Sequence, residues 1–171
     1  MRDQLATFLK QRFSDGIVNI EEFRGQIFFQ IKPDFLIPIC TDLQDSGELA
    51  VKFLADVTCV DWLGHEKEKD GRFEVVYNLY SYRHKYRFFL TVRLNADSPN
   101  VQSLTRLWHG ANWLEREVFD LFGIIFEGHP NLTKILTPDE LEGHPLRKDF
   151  PLTWEQPHFS WNKDQPPEVI K

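Results

Sequence analysis

Leu5, Phe8, Leu9 and Phe13 recur at helical spacing, so residues 3–13 read as a short amphipathic helix that packs one face on a sheet, with Asp3 near its positive end. Two runs rich in Ile, Val and Phe, 16–23 and 26–31, flank Arg24-Gly25 and predict a hairpin. Asp34 stands where it can cap a helix running toward Asp45, with Pro38 expected to interrupt it after its first turn. The middle of the chain alternates: Tyr86, Phe88, Leu90, Val92 and Leu94 interleave with Arg87, Thr91 and Arg93. With the runs 52–60 and 73–81, this predicts three strands with one buried and one charged face. The charged stretch 65–71 reads as a solvated turn between the first two, and a simple meander makes them antiparallel.

From Ser103 the period becomes helical, with Leu104, Leu107 and Trp108; Gly110 breaks it, and a second helix runs from about Asn112 to Phe122. Asn112 and Glu115 have the spacing of a capping box, Leu114, Val118, Leu121 and Phe122 form an apolar face, and Gly123 suits a left-handed stop. Glu115, Glu117 and Asp120 leave an acidic flank, either a solvated face or a docking surface. After Gly123, residues such as Gly128, Pro130, Pro138, Gly143, Pro145 and Pro151 preclude any long element. Ile124, Ile125, Phe126, Leu132, Ile135 and Leu136 are expected to anchor this arm on the domain; aromatic residues in a segment that cannot fold on itself lie on their own domain or on a neighbour, and Leu146 to Trp161 are expected to reach a partner. The expected fold is α+β: a mainly antiparallel sheet with helices on one side over 1–123, then an extended docking arm over 124–171.

Charge and composition remove several functions. A net charge of -6 leaves no overall basic field for nucleic acid or anionic lipid, despite a small basic, aromatic strand face at Tyr82, Arg83, Lys85, Tyr86, Arg87 and Arg93. Apolar runs such as Phe35 to Cys40 are far shorter than the ~20 residues of a spanning helix, so membrane association is expected only through partners. Cys40 and Cys59 lie outside any CxxC or Cys/His cluster and read as core thiols, too few for the four thiolates of an iron–sulfur cluster. Nucleotide-cradling glycine motifs and a Gly-x-Ser-x-Gly elbow are absent from the sequence. His129 and His144 each sit in Gly-His-Pro and, with Glu117 or Asp120, could be imagined as a metal site or an acid/base pair. Tight turns whose His bonds backbone carbonyls are the simpler reading. No catalytic, cofactor-binding or metal residue is assigned.

The stretch Glu115-Arg116-Glu117, Asp120, Leu121-Phe122-Gly123, His129-Pro130 and Ile135-Leu136 resembles the signature of the thirty-kilodalton subunit family of respiratory complex I, whose bacterial member is the C subunit. Gly143-His144-Pro145-Leu146-Arg147-Lys148-Asp149-Phe150-Pro151 resembles the continuation of that signature, and Thr133 departs from a usually basic or Pro position, with Lys134 beside it. The resemblance implies a subunit of proton-translocating NADH:quinone oxidoreductase that performs no chemistry itself. FMN, iron–sulfur clusters, NADH and quinone would be carried by other subunits. It implies docking on the forty-nine-kilodalton-type subunit and the iron–sulfur subunits through the signature residues, and through His144, Pro145, Arg147, Lys148, Asp149, Phe150, Trp154, Phe159 and Trp161 of the arm. It implies a peripheral place on the cytoplasmic side of a bacterial membrane, or the matrix side in an organelle. The competing readings are the equivalent subunit of a membrane-bound hydrogenase or another quinone-reducing complex, and a stand-alone metal-dependent hydrolase.

Overall fold

The computed structural model describes residues 2–152. Helix α1 (Arg2–Arg12) leads into the hairpin β1 (Ile17–Phe23) and β2 (Gln26–Ile31), followed by α2 (Leu36–Asp45). Next come the meander β3 (Phe53–Asp61), β4 (Phe73–Ser81) and β5 (Tyr86–Leu94), the short β6 (Asn100–Gln102), α3 (Ala111–Phe122) and β7 (Ile125–Glu127). The β1–β2 turn needs positive φ at both central residues, and Arg24 and Gly25 have it, at 50° and 76°.

The main sheet has the order β1-β2-β5-β4-β3. Its pairings are antiparallel except for β2 against β5, which are parallel with Phe28 opposite Phe89. Alternation then decides the faces. Phe73, Val75, Tyr77 and Leu79 of β4 and Phe88, Leu90 and Val92 of β5 are buried in one core with Leu5 and Leu9 of α1, Ile39 and Leu43 of α2, and Val118 and Phe122 of α3. Phe29 meets Phe88 edge-on inside this core, whereas Phe28 stacks on Phe89 at 4.5 Å on the opposite face. That opposite face also carries the Arg93–Glu74 ion pair at 3.1 Å.

Four expectations are corrected. Asp34 does not cap α2, because a single 3-10 turn over Pro33–Phe35 precedes it and Phe35 holds the N-cap position without a side-chain bond. Pro38 is the third residue of α2, where an amide has no intrahelical acceptor to lose, so the helix passes through it. No helix starts at Ser103: Leu107 and Trp108 both bond Leu104 O in a lone turn, after β6, which pairs in parallel with β7. Gly110, not Asn112, is the N-cap of α3, so the capping box does not form. The core also continues past Gly123, with Ile124 and Phe126 buried and Leu132 packed beside them, while Ile125 and Leu136 are exposed. Trp154, Phe159 and Trp161 lie outside the described residues.

Candidate functional site

Helix α3 organises the residues that the sequence singled out. Ala111, Glu115, Val118 and Phe122 recur at helical spacing on its inner face and are all buried. Glu115 is fully buried, and its carboxylate accepts from Ser103 Oγ at 2.6 Å and Leu104 N at 2.7 Å. Ser103 Oγ also meets Thr105 Oγ1 at 2.8 Å and accepts from Thr105 N. Burial pushes the Glu115 acid up to about 7, against the pull of the Ser103 hydroxyl and the Leu104 amide.

Asp120 is buried too, by a different construction. Its Oδ2 accepts the backbone N–H groups of Ile135, Leu136 and Thr137, and its Oδ1 accepts the Thr137 hydroxyl. Burial alone would raise this acid, but the Thr137 hydroxyl and the three amides outweigh it and hold Asp120 down at about 2. Arg116 donates to the carbonyls of Thr133 and Lys134, each at 3.0 Å, and lies over Trp113. Thr133 thus contributes its carbonyl, a group that any residue at this position supplies. The acidic flank expected of Glu115, Glu117 and Asp120 is therefore reduced to Glu117, which is exposed.

The two Gly-His-Pro turns hold opposite ends of α3. His129 Nδ1 accepts from Asn131 N at 3.0 Å, which leaves Nε2 as the protonated nitrogen donating to Asn112 O at 3.2 Å. His144 Nδ1 lies 2.9 Å from Asp120 O. Their anchors, Asn112 and Asp120, are about 12 Å apart along the helix, so the rings cannot share a metal ion. Among the described residues no group of three or more His, Cys, Asp or Glu could hold one. Pro130 beside the first turn is exposed, and Pro145 beside the second is half-buried.

The segment after His144 closes the C-terminal end of α3. Leu146 N donates to Leu121 O at 3.1 Å and Arg147 Nε to Phe122 O at 2.6 Å, so carbonyls left open by the helix end receive donors from this strap. Gly123 permits the approach. Its φ is 72°, and a Cβ there would fall on the His144 ring and the Arg147 guanidinium. The strap continues onto the β3–β4 turn, where Lys148 N donates to Asp61 and Lys148 Nζ to Leu63 O, both at 3.0 Å. Arg72 bridges Asp61 at 2.8 Å and Asp149 at 2.7 Å. Half-buried Phe150 packs beside Gly143. His144, Arg147, Lys148 and Asp149 thus bind this chain's own domain. Ser103, Thr137, Asp61 and Arg72 were not singled out from the sequence as partners; the position of Glu115 between Ala111, Val118 and Phe122 is the signal that could have called for Ser103.

These groups fix backbone and do not converge on a reactive cleft. The family model described as respiratory-chain NADH dehydrogenase, 30 kDa subunit, matches residues 29–156. The chain belongs to this family. The C subunit of NADH-quinone oxidoreductase from Roseiflexus castenholzii is 44% identical over 157 residues, covering 92% of this chain and 88% of the relative. Its counterpart of the same name from Geobacter metallireducens is 42% identical over 144 residues, 84% of this chain and 86% of its own. The trypsin-resistant fragment of Nqo5 superposes with a TM-score of 0.66 at 33% identity, covering 75% of this chain and 99% of the fragment. A chain of an archaeal membrane-bound sulfane sulfur reductase shares the fold, with a TM-score of 0.71 at 22% identity over 89% of this chain and 86% of that one. As a member of the family, the chain is a subunit of an oxidoreductase complex of the respiratory chain. Among its described residues no helix is long and apolar enough to cross a membrane.

Proposed function

We propose that this chain is a non-catalytic, cofactor-free subunit of the peripheral arm of a proton-translocating NADH:quinone oxidoreductase. It docks on the forty-nine-kilodalton-type subunit, beside the iron–sulfur subunits, on the cytoplasmic side of the membrane. By fixing the position of its redox neighbours it supports electron transfer from NADH to quinone, and no bond is made or broken on it. FMN and the clusters are carried by those neighbours.

The observation that carries this reading is the use of the family's signature residues. Glu115, Arg116, Asp120, His129, His144 and Arg147 all bond backbone or hydroxyl groups of their own chain, which makes α3, its loop and the strap one rigid platform. Cys40 and Cys59 are both buried in the core, and burial pushes both thiols up, Cys59 to about 12, as befits core side chains.

A tagged chain recovered from solubilised native membranes, with its companions identified by mass spectrometry, tests the proposal. Co-purification of a forty-nine-kilodalton-type subunit and iron–sulfur subunits is expected, and the electron-input subunits recovered with them identify the donor. A chain that emerges alone and monomeric overturns it.

A further inference from the structure

The platform presents one surface that its own folding does not use. Trp113, Glu117 and Leu121 lie one helical turn apart on α3, and the loop and strap add Leu136 and Leu146 beside them. Trp113 is 61% exposed, Leu136 62% and Leu146 52%, whereas Leu121 is half-buried. The charges around this stripe are sorted. The three cations beside it are engaged: Arg116 lies over the Trp113 ring and donates to Lys134 O, and Lys134 and Arg147 donate to the carbonyls of Leu141 and Phe122. The carboxylates of Glu117, Asp139 and Glu142 have no ion pair among the described residues, and all three are exposed. An apolar stripe with an acidic rim remains.

We infer that the outer face of α3, with the loop and strap laid against it, is an interaction surface for a partner polypeptide segment whose aliphatic side chains are flanked by Lys or Arg. The inference rests on the reading of the chain as a complex subunit and names the surface and the partner chemistry. Charge selects this occupant. A second copy of this chain would set acidic rim against acidic rim, and nucleic acid would meet the same repulsion. A basic, aliphatic segment buries the stripe and neutralises Glu117, Asp139 and Glu142, with the rim charges fixing its register.

The test uses the tagged chain recovered from native membranes, in three variants: Trp113→Ser with Leu136→Ser, Leu146→Ser, and Glu117→Lys. Phe23→Ser with Tyr82→Ser, exposed on β1 and the β4–β5 turn, serves as control. The α3 and strap variants are expected to recover at least about tenfold less of the forty-nine-kilodalton-type subunit. Their purified chains should melt as the wild type does, Glu117→Gln should lose less than Glu117→Lys, and the control pair should behave as wild type. A photo-crosslinking residue placed at Trp113 should capture a peptide with Lys or Arg beside aliphatic residues. Wild-type recovery by all the α3 variants, loss confined to the control pair, or a crosslink to an acidic peptide overturns the inference while the subunit reading stands. If the unaltered chain itself recovers no partner, the subunit reading fails and takes this surface with it.

Discussion

Asp120 receives the Leu136 amide on Oδ2 at 2.7 Å, between those of Ile135 and Thr137 at 2.9 Å, so one side-chain oxygen gathers three consecutive backbone donors. A neutral amide in its place points an N–H group, or a weaker acceptor, at those donors. Asp120→Asn should therefore cost about 2–4 kcal/mol, since hydrogen bonds to a charged acceptor are the stronger kind and buried donors left unpaired are penalised. Urea denaturation of the two chains measures it. Because the folded acid lies near 2, below its ordinary 3.8, the stability it contributes is present above 3.8 and is lost as pH falls through 2. The gap between wild type and variant should be constant near neutrality and close in acid; a gap that persists at pH 2 would refute the charge-based account.

Glu115 gives the opposite sign. Its folded acid is raised to about 7 from 4.5, so between those values the folded chain holds a proton that the unfolded chain has released. Stability should fall as pH rises from 4.5 to 7 and stay reduced above, because burial penalises the ionised carboxylate, whose donors among the described residues are Ser103 Oγ and Leu104 N. Glu115→Gln keeps an acceptor for Leu104 N and carries no charge. It should flatten the profile between pH 5 and 7 and match or exceed the wild type at pH 8, by about 1 kcal/mol. Denaturation midpoints at pH 5, 6, 7 and 8 decide; a variant that tracks the wild-type slope would assign that slope to another group.

What was legible depends on how far each signal reaches along the chain. Alternation over 73–81 and 86–94 is long enough to declare its faces, and Gly123 announces its left-handed stop. The β6–β7 pair is only three residues deep on each strand and parallel, so alternation could not mark it, and Leu104 to Trp108 looked helical instead. The acids of α3 were misread for a different reason. Helical spacing showed a flank at Glu117 and Asp120, but the cover over Asp120 comes from residues fifteen to seventeen positions later. Glu115 was within reach of sequence reasoning, since Ala111, Val118 and Phe122 surround it in the inner stripe. The clasp of Asp61, Arg72 and Asp149 was not, because its members stand up to 77 residues from Arg72 with no pattern between them.

Gly123 couples the end of α3 to the strap. At φ 72° an L side chain is strained, and the added methyl would also displace His144 and Arg147 from the carbonyls of Asp120 and Phe122. Gly123→Ala should cost about 2 kcal/mol, more than the conformational penalty alone, and should release the strap. Limited proteolysis reads the second effect: cleavage between 143 and 152 should quicken relative to the loop at 65–71. Equal protection at both sites in wild type and variant would show that the strap is held without the helix end.

Arg72 offers the sharpest test of what holds the strap further on, because its two carboxylates differ in burial. The Asp61 side chain is 2% exposed and that of Asp149 is 52% exposed, so the two ion pairs differ in strength. Among the described residues, removing the guanidinium leaves Asp61 with the backbone amides of Leu63 and Lys148, a nearly dry anion without its ion-pair partner. Arg72→Ala should cost about 3 kcal/mol. Asp149→Ala should cost about 0.5 kcal/mol, because a half-exposed pair gains little over water. A double-mutant cycle between the two positions should return a coupling no larger than the Asp149 cost. A coupling near the full Arg72 cost would move the strap's anchorage from the Lys148 amide on Asp61 to the ion pair between Arg72 and the strap's own Asp149.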